Sequence, residues 1–435
     1  MNYEKIKACA LEPGGRVDDL IALSRKNDPF YCGQPGQVLQ ARWFASLWEL
    51  FRFPQGVHLR RIHYLLVSQD RPILDAGGTA YANTERCWKL LGEASKGARY
   101  LELVPLSAFT DRRNPEPFIY EPGAPGMFWP CAGTPPRLGG FELPEMPEIP
   151  EAFVSMPGES HHYHVEIWAE KSTINDVLLP LCKRHGVNLV TGVGEMSITA
   201  VHMLIERMTR KPARILYISD YDPGGQSMPV AVARKVEYIL HKNGKQADNR
   251  LYPLALTAEQ IHRYNLPRIP IKESESRKAS FELRHGEGAT ELDALEALHP
   301  GELAGIVEAA ITRYRDPTLR QRLTETETRA RRELGELNHT VRERYASEIE
   351  EAEERWQSID EAIGDWLDTY TPVWNRMHGD LSRAIGGLGW RYPEPALADE
   401  IPNPLFDSAR DYFEQLGAYK RFQQKPTNHP DPEDL

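Results

Sequence analysis

The chain has few cysteines, and none are arranged in a way that would bind zinc. Cys9, Cys32, Cys87, Cys131 and Cys182 are scattered over 435 residues, form no C-x-x-C pair and are odd in number. That pattern excludes a disulfide framework and a zinc knuckle, and reads as reduced, mostly structural thiols. Long apolar runs are missing as well. The longest, such as Val177 to Cys182, fall far short of the ~20 residues of a membrane span. The opening Met-Asn-Tyr-Glu-Lys carries no apolar signal core. A cytoplasmic protein without membrane contact is the expectation. The phosphate-binding pattern G-x-x-x-x-G-K-[ST] does not occur, so ATP hydrolysis is not expected of this chain. Nor is there an excess of basic charge: 52 Lys and Arg stand against 63 Asp and Glu, a net charge of −11. A generic basic nucleic-acid coat is thereby excluded, and any nucleic-acid contact is confined to local basic surfaces.

The composition that remains, 41% hydrophobic and 26% charged, suits a folded chain of two or three domains with cores. Proline marks the main internal boundary. Eleven of the 34 prolines fall between Pro115 and Pro157, interleaved with Gly123, Gly126, Gly133, Gly139 and Gly140. This predicts an extended connector over 114–160. Before it lie a helical N-terminal region, 1–57, and a compact segment, 58–113. The latter reads as a helix from Leu59 to Val67, a Gly77-Gly78 turn, a helix starting at Asn83-Thr84 and running through Trp88 and Leu91, and a strand from Tyr100 to Val104. Nine Lys and Arg against six Asp and Glu give this segment a charge of +3.

After the connector, strand and helix alternate: Val165 to Ala169, Asn175 to Arg184, Val187 to Thr191, Ile198 to Met208, Arg214 to Ser219 and Met228 to Leu240. The alternation predicts a parallel α/β sheet within 161–317, and the fold class is α/β multidomain with helical N- and C-terminal regions. In the C-terminal region, 318–435, apolar residues recur at three-four spacing from Leu334 to Tyr370 and predict one long amphipathic helix from Thr318 to Asp368. Eight Lys and Arg and eleven Asp and Glu lie between Arg320 and Asp360. Such a face should repel DNA and suits packing against a partner or its own domain, with Trp356 and Trp366 on the contact stripe. The acidic tail after Pro426 reads as mobile.

The strongest chemical signal is Ile215-Leu-Tyr-Ile-Ser-Asp-Tyr-Asp-Pro-Gly-Gly225, a buried-strand run ending in two carboxylates and a glycine turn. Asp220 and Asp222 can converge on one cation, and hard ions such as Mg2+, or Mn2+, require oxygen ligands. The Pro223-Gly224-Gly225 turn lets backbone amides approach a phosphate. By itself, an Asp-x-Asp after a strand is equally a loop-capping pair. Here, however, the first strand of the same unit ends in Trp168-Ala-Glu-Lys-Ser-Thr173, and the second in the glycine loop Thr191-Gly-Val-Gly-Glu195. In a doubly wound sheet these strand ends share one edge.

Acid, glycine loop and acid pair in this order resemble the toprim domain of topoisomerases, primases and related nucleases. The resemblance implies that Glu170 is a general acid/base or metal ligand, and that Asp220 and Asp222 bind Mg2+. Glu166, inside the strand, and Glu195, at a helix start, are weaker candidates. The segment Arg60-Arg-Ile-His-Tyr64 resembles the Arg-x-Ile-Tyr-Tyr element of the topoisomerase VI A subunit and its meiotic double-strand-break relatives. In that family a winged helix carrying the nucleophilic tyrosine precedes the toprim domain, the same order as here, with 58–113 as the winged helix. Segments Leu256 to Pro267 and Glu291 to Leu295 resemble the family too, so the likeness covers about residues 58 to 313.

The resemblance implies Mg2+-dependent cleavage of double-stranded DNA by a homodimer. Tyr64 would form a phosphotyrosine link facing the partner protomer's acids, and a separate ATPase or complex partner would be needed for strand passage. His63 departs from the motif by replacing its first tyrosine. Arg60, Arg61, Arg86, Lys89, Arg112 and Arg113 are candidates for DNA phosphates, against the alternative of a solvated charged face. Tyr64 has a bland alternative as a core aromatic beside Leu65 and Val67. A hydrolytic toprim nuclease using metal-activated water, or a non-catalytic DNA-binding subunit, are the rival functions. His161-His-Tyr-His164 lacks the i, i+4 spacing of helical zinc sites and reads as surface histidines.

Overall fold

A computed structural model describes the chain except for residues 12–14, 111–115, 122–130, 133–147, 156–157, 193, 195, 209–210, 245–247, 357–362, 392 and 425–435. Arg112, Arg113, Glu195, most of the connector and the tail after Pro426 therefore lie outside the described residues. The fold is mixed α/β and divides into two compact units. One comprises Met1–Glu121, His162–Arg315 and Ala398–Leu435; the other comprises Pro122–His161 and Asp316–Leu397. These units cut across the sequence divisions: the start of the connector and the end of the C-terminal region both belong to the first unit. No described helix is long and apolar enough to cross a membrane.

In chain order the strands are β1 (Cys131–Ala132), β2 (Ala152–Phe153), β3 (His164–Ala169), β4 (Asn188–Thr191), β5 (Ala213–Ile218), β6 (Asn249–Ala255) and β7 (Phe406–Asp407). The first unit is built on a five-stranded sheet in the order β4-β3-β5-β6-β7. Strands β4, β3, β5 and β6 are parallel, and β7 pairs antiparallel to β6. Every residue of β3, β4 and β5 is buried, as a sheet covered on both faces requires. Period-two alternation divides their side chains. Trp168, Val190, Ile215 and Tyr217 face the Ile198–Arg207 and Pro223–Lys242 helices. Val165, Ile167, Leu189 and Leu216 face the Asn175–His185 and Glu302–Thr312 helices.

The N-terminal helices form a third core in the same unit. Ala41, Phe44 and Leu47 of the Pro35–Phe51 helix meet Ile62 and Leu66 of the Leu59–Val67 helix and Leu91, Ala94 and Ala98 of the Glu85–Tyr100 helix. Thr84 caps the last of these by accepting from the Cys87 amide at 3.3 Å. This helix continues to Tyr100, and Leu101–Val104 turn rather than extend. The strand expected at Tyr100 to Val104 is thus absent, because the Leu101, Leu103 and Val104 amides fold back onto the Gly97 and Ala98 carbonyls. Tyr238 OH donates to the Tyr100 carbonyl at 2.8 Å, and Arg99 Nη1 reaches Thr199 Oγ1 at 3.4 Å, tying this core to the α/β sheet.

Two buried arginines hold distant segments of the first unit together. Arg234 contacts Asp28 (3.0 Å) and donates to Tyr412 OH (2.6 Å). Arg214, fully buried in β5, bonds Asp248 (2.8 Å) and Glu400 (2.6 Å) and stacks over Tyr163. The connector's first residues are not free either: Phe118 exchanges backbone bonds with Leu189, extending the sheet beside β4.

In the second unit, the single helix expected from Thr318 to Asp368 is instead Leu319–Arg344 and Ala346–Trp356, followed by Ile363–Gly387. The break falls at Tyr345, whose amide bonds Arg342 three residues back and whose phenol donates to Asp380 Oδ2 at 2.7 Å. The apolar stripe of Leu334, Val341, Tyr345, Ile349 and Ala352 packs within the unit against Tyr370, Val373, Trp374, Met377 and Leu381. Asn338 holds the β1–β2 strand pair by bonding both backbone groups of Ala152.

Candidate active site

The sheet order locates a crevice. The first parallel strand, β3, is flanked by the second, β4, on one side and the third, β5, on the other. The winding direction therefore reverses between β3 and β5, and ligands of open α/β sheets bind beyond the carboxyl ends of the strands at such a point. Glu170 directly follows β3, and Asp220 and Asp222 follow β5. The structure thus places the three acids singled out in the sequence at one edge of the sheet, with Glu170 against the Asp220 backbone.

Local bonds fix each of them. The Glu170 amide donates to the Ile218 carbonyl at 2.9 Å, and its Oε2 accepts the Asp220 amide at 3.3 Å. Asp220 Oδ1 accepts the Leu292 amide at 2.7 Å, and Oδ2 lies 3.0 Å from Lys171 Nζ. Asp222 caps the Pro223–Lys242 helix, accepting the Gly225 amide at 2.6 Å. Gly225 has a steric reason to be glycine, since a Cβ there would lie 1.9 Å from the Asp220 carbonyl oxygen. Between the acids, Tyr221 exchanges backbone bonds with Thr290, and its ring is buried beside His285.

Burial, followed by the charges of Asp220 and Asp222, pushes the Glu170 carboxyl up to about 7. Burial also raises Asp220, opposed by the Leu292 amide and Lys171. A carboxyl that is half protonated near neutrality can take or give a proton.

Sequence reasoning missed the other half of this cluster. Lys171 Nζ is 2.6 Å from Asp293 Oδ2 and 3.6 Å from Glu291 Oε2, so Glu291-Leu-Asp293 faces the same ammonium as Asp220. The signal was available: acid-x-acid repeats the Asp220-Tyr-Asp222 spacing. Among the described residues, no three His, Cys, Asp or Glu side chains are gathered closely enough to hold an ion. The cation standing at Asp220 is the Lys171 ammonium. Its other acid partners are Asp293 and Glu291, not Glu170 or Asp222; carboxylates are the hard oxygen donors that Mg2+ takes, and Glu170, Asp220 and Asp222 are the residues that would hold it.

Tyr64 lies on the exposed face of the Leu59–Val67 helix, 58% accessible, while Ile62, His63 and Leu66 make the buried face. The core-aromatic alternative is therefore overturned. His63 fills the core position instead, bonded to Tyr81 OH (2.7 Å) and Asn83 Oδ1 (3.2 Å). Arg60 and Arg61 are exposed. Arg86 donates from two nitrogens to Asp75 at 3.1 Å, bracing the Gly77-Gly78 turn, and Lys89 pairs with Glu85 at 2.7 Å. These two are already engaged with acids.

The histidine run is not on the surface as expected: His161 and His164 are buried. His164 bonds Glu121 and Glu166, and Glu166, inside β3, also accepts Arg207 Nε at 2.6 Å. Burial lowers the His164 pKa, but its two carboxylate partners outweigh this and raise it to about 9. This closed ion network explains why Glu166 is buried and takes it out of the candidate site. Comparison of the chain with protein-family models and with curated proteins gives no match.

Proposed function

We propose that the protein is a topoisomerase VI A-like enzyme that cleaves double-stranded DNA with Mg2+, with the sheet of the first unit as a toprim domain and 58–113 as a winged helix. The observation that carries the reading is the contact of Glu170 with the Asp220 loop, which also carries Asp222, at the reversal point of the parallel sheet. Mg2+ bound by these acids would neutralise charge on the scissile phosphate.

The protein's own residues supply the rest. The Tyr64 phenol, exposed on its helix, is the nucleophile: its oxygen bonds to phosphorus, its proton passes to a base, and the sugar–oxygen bond to phosphorus breaks, the departing oxygen taking up a proton as a free sugar hydroxyl. A phenol with a pKa near ~10 requires such a base. Glu170, poised at about 7, holds or releases that proton. Arg60 and Arg61, exposed on the helix of Tyr64, bind DNA phosphates. Cutting two antiparallel strands calls for two centres related by the duplex dyad, so the active form is a homodimer with Tyr64 completing the partner's acids. The deciding experiment is supercoiled-plasmid cleavage with Mg2+, with and without protease before electrophoresis. Protein-linked ends support transesterification, free ends the hydrolytic nuclease, and no cleavage a non-catalytic DNA-binding subunit.

A further inference from the structure

Among the described residues, Lys171 is a cation that the chain itself places against Asp220, and its position is asymmetric. On one side is Asp220, whose side chain is only 14% exposed; on the other are Asp293 and Glu291, 46% and 53% exposed. The ammonium is shared between them at 3.0, 2.6 and 3.6 Å. It therefore holds the Oδ2 of Asp220, one of the oxygens that a divalent ion in this crevice would need.

Two cations cannot occupy the same carboxylate oxygen, and like charges a few ångströms apart repel strongly where water is partly excluded. Lys is suited to yielding, being a compact charge on a flexible four-carbon stem. Release from Asp220 would not strand it, because Asp293 already bonds it and Glu291 stands next to it.

We propose that Lys171 is a tethered competitor for the divalent cation, holding Asp220 in the metal-free chain and retreating onto Asp293 and Glu291 when the ion arrives. This rests on the reading of Glu170, Asp220 and Asp222 as the metal site. Lys171 thereby sets the metal affinity of the site and keeps Asp220 compensated when no ion is bound. Asp293 acts as a positioning residue, reaching the ion only through Lys171.

The test is a Mn2+ titration of the full chain read by electron paramagnetic resonance, which detects binding independently of cleavage. Lys171→Gln and Lys171→Met both delete the charge, the first retaining hydrogen bonding and the second the chain's length. Each should bind Mn2+ about tenfold more tightly than the wild type. Asp293→Asn should weaken binding by pushing Lys171 towards Asp220, yet have no effect in a Lys171→Gln background. Equal or weaker affinity in both Lys171 variants, with unchanged circular dichroism, would overturn the role of Lys171 alone. Loss of affinity on Asp293→Asn in the Lys171→Gln background would make Asp293 a direct ligand and overturn its positioning role. Mn2+ binding that ignores Asp222→Asn in every background would instead overturn the metal-site reading.

Discussion

The Asp220 amide donates to Oε2 of Glu170 at 3.3 Å, across 50 residues of sequence. The contact joins the loop after the first parallel strand to the loop after the third. It places one acid, poised at about 7, against the backbone of the next, so their charges respond to each other.

On the proposed function, Asp220 and Asp222 bind the metal, so removing either charge should stop cleavage while leaving the fold intact. Asp220→Asn and Asp222→Asn preserve side-chain volume, and Asn caps a helix about as well as Asp, so the Gly225 amide keeps its acceptor. Plasmid cleavage should fall by at least ~100-fold. Full activity in both variants would refute the assignment.

Tyr64→Phe deletes one hydroxyl from a 58% exposed ring. Cleavage should drop by a factor on the order of 10³ or more, with DNA affinity and melting temperature unchanged. Mixing it with Asp222→Asn should restore nicking, because a heterodimer contains one composite centre with both wild-type parts. Failure of the mixture to nick, with subunit exchange demonstrated, would rule out action in trans.

The Glu170 carboxyl is raised from 4.5 to about 7 on folding, so its protonated form favours the native state. That stability is fully present below about pH 4.5 and is lost as pH rises through about 7. The loss is about 3 kcal/mol, and Glu170→Gln should abolish it. Denaturant unfolding at intervals from pH 5 to 8 measures both. Parallel curves for wild type and variant would refute the shift.

Gly225→Ala should destabilise the protein by about 3 kcal/mol, because a methyl 1.9 Å from the Asp220 carbonyl oxygen must displace the loop that carries both acids. Thermal melting should show the loss, and cleavage should fall further than stability alone explains.

Much of this arrangement was legible in the sequence. Strands such as His164–Ala169 and Ala213–Ile218 are mostly apolar runs, interrupted by His164, Glu166 and Arg214 and followed by acids, and burial on both faces leaves such runs little choice of structure. The helix of Tyr64 was legible too, with the direction of its phenol left open. At nine residues the helix is short, and which face is buried depends on His63, a polar residue made core-compatible by Tyr81 and Asn83. Glu291 to Leu295 was read only as a family-like segment, and its contact with Lys171 was not legible because it spans 122 residues in one case and follows no periodicity. The break at Tyr345 was hidden for a related reason: a three-four stripe looks the same whether it runs along one helix or across two consecutive ones.

Arg214 has a consequence for how the chain is made. Its guanidinium is fully buried, and its partner Glu400 lies 186 residues further on. All of Asp316–Leu397, the longer segment of the second unit, is synthesised in between. On a ribosome, the helical core around Trp374 can therefore be finished while Arg214 has Asp248, 34 residues on, but not yet Glu400 as a counter-ion. Glu400 also accepts from Tyr252 and Tyr314, so its arrival completes a polar cluster that the sheet begins to bury much earlier. The first unit thus starts earlier and closes later, since Ala398–Leu435 belongs to it.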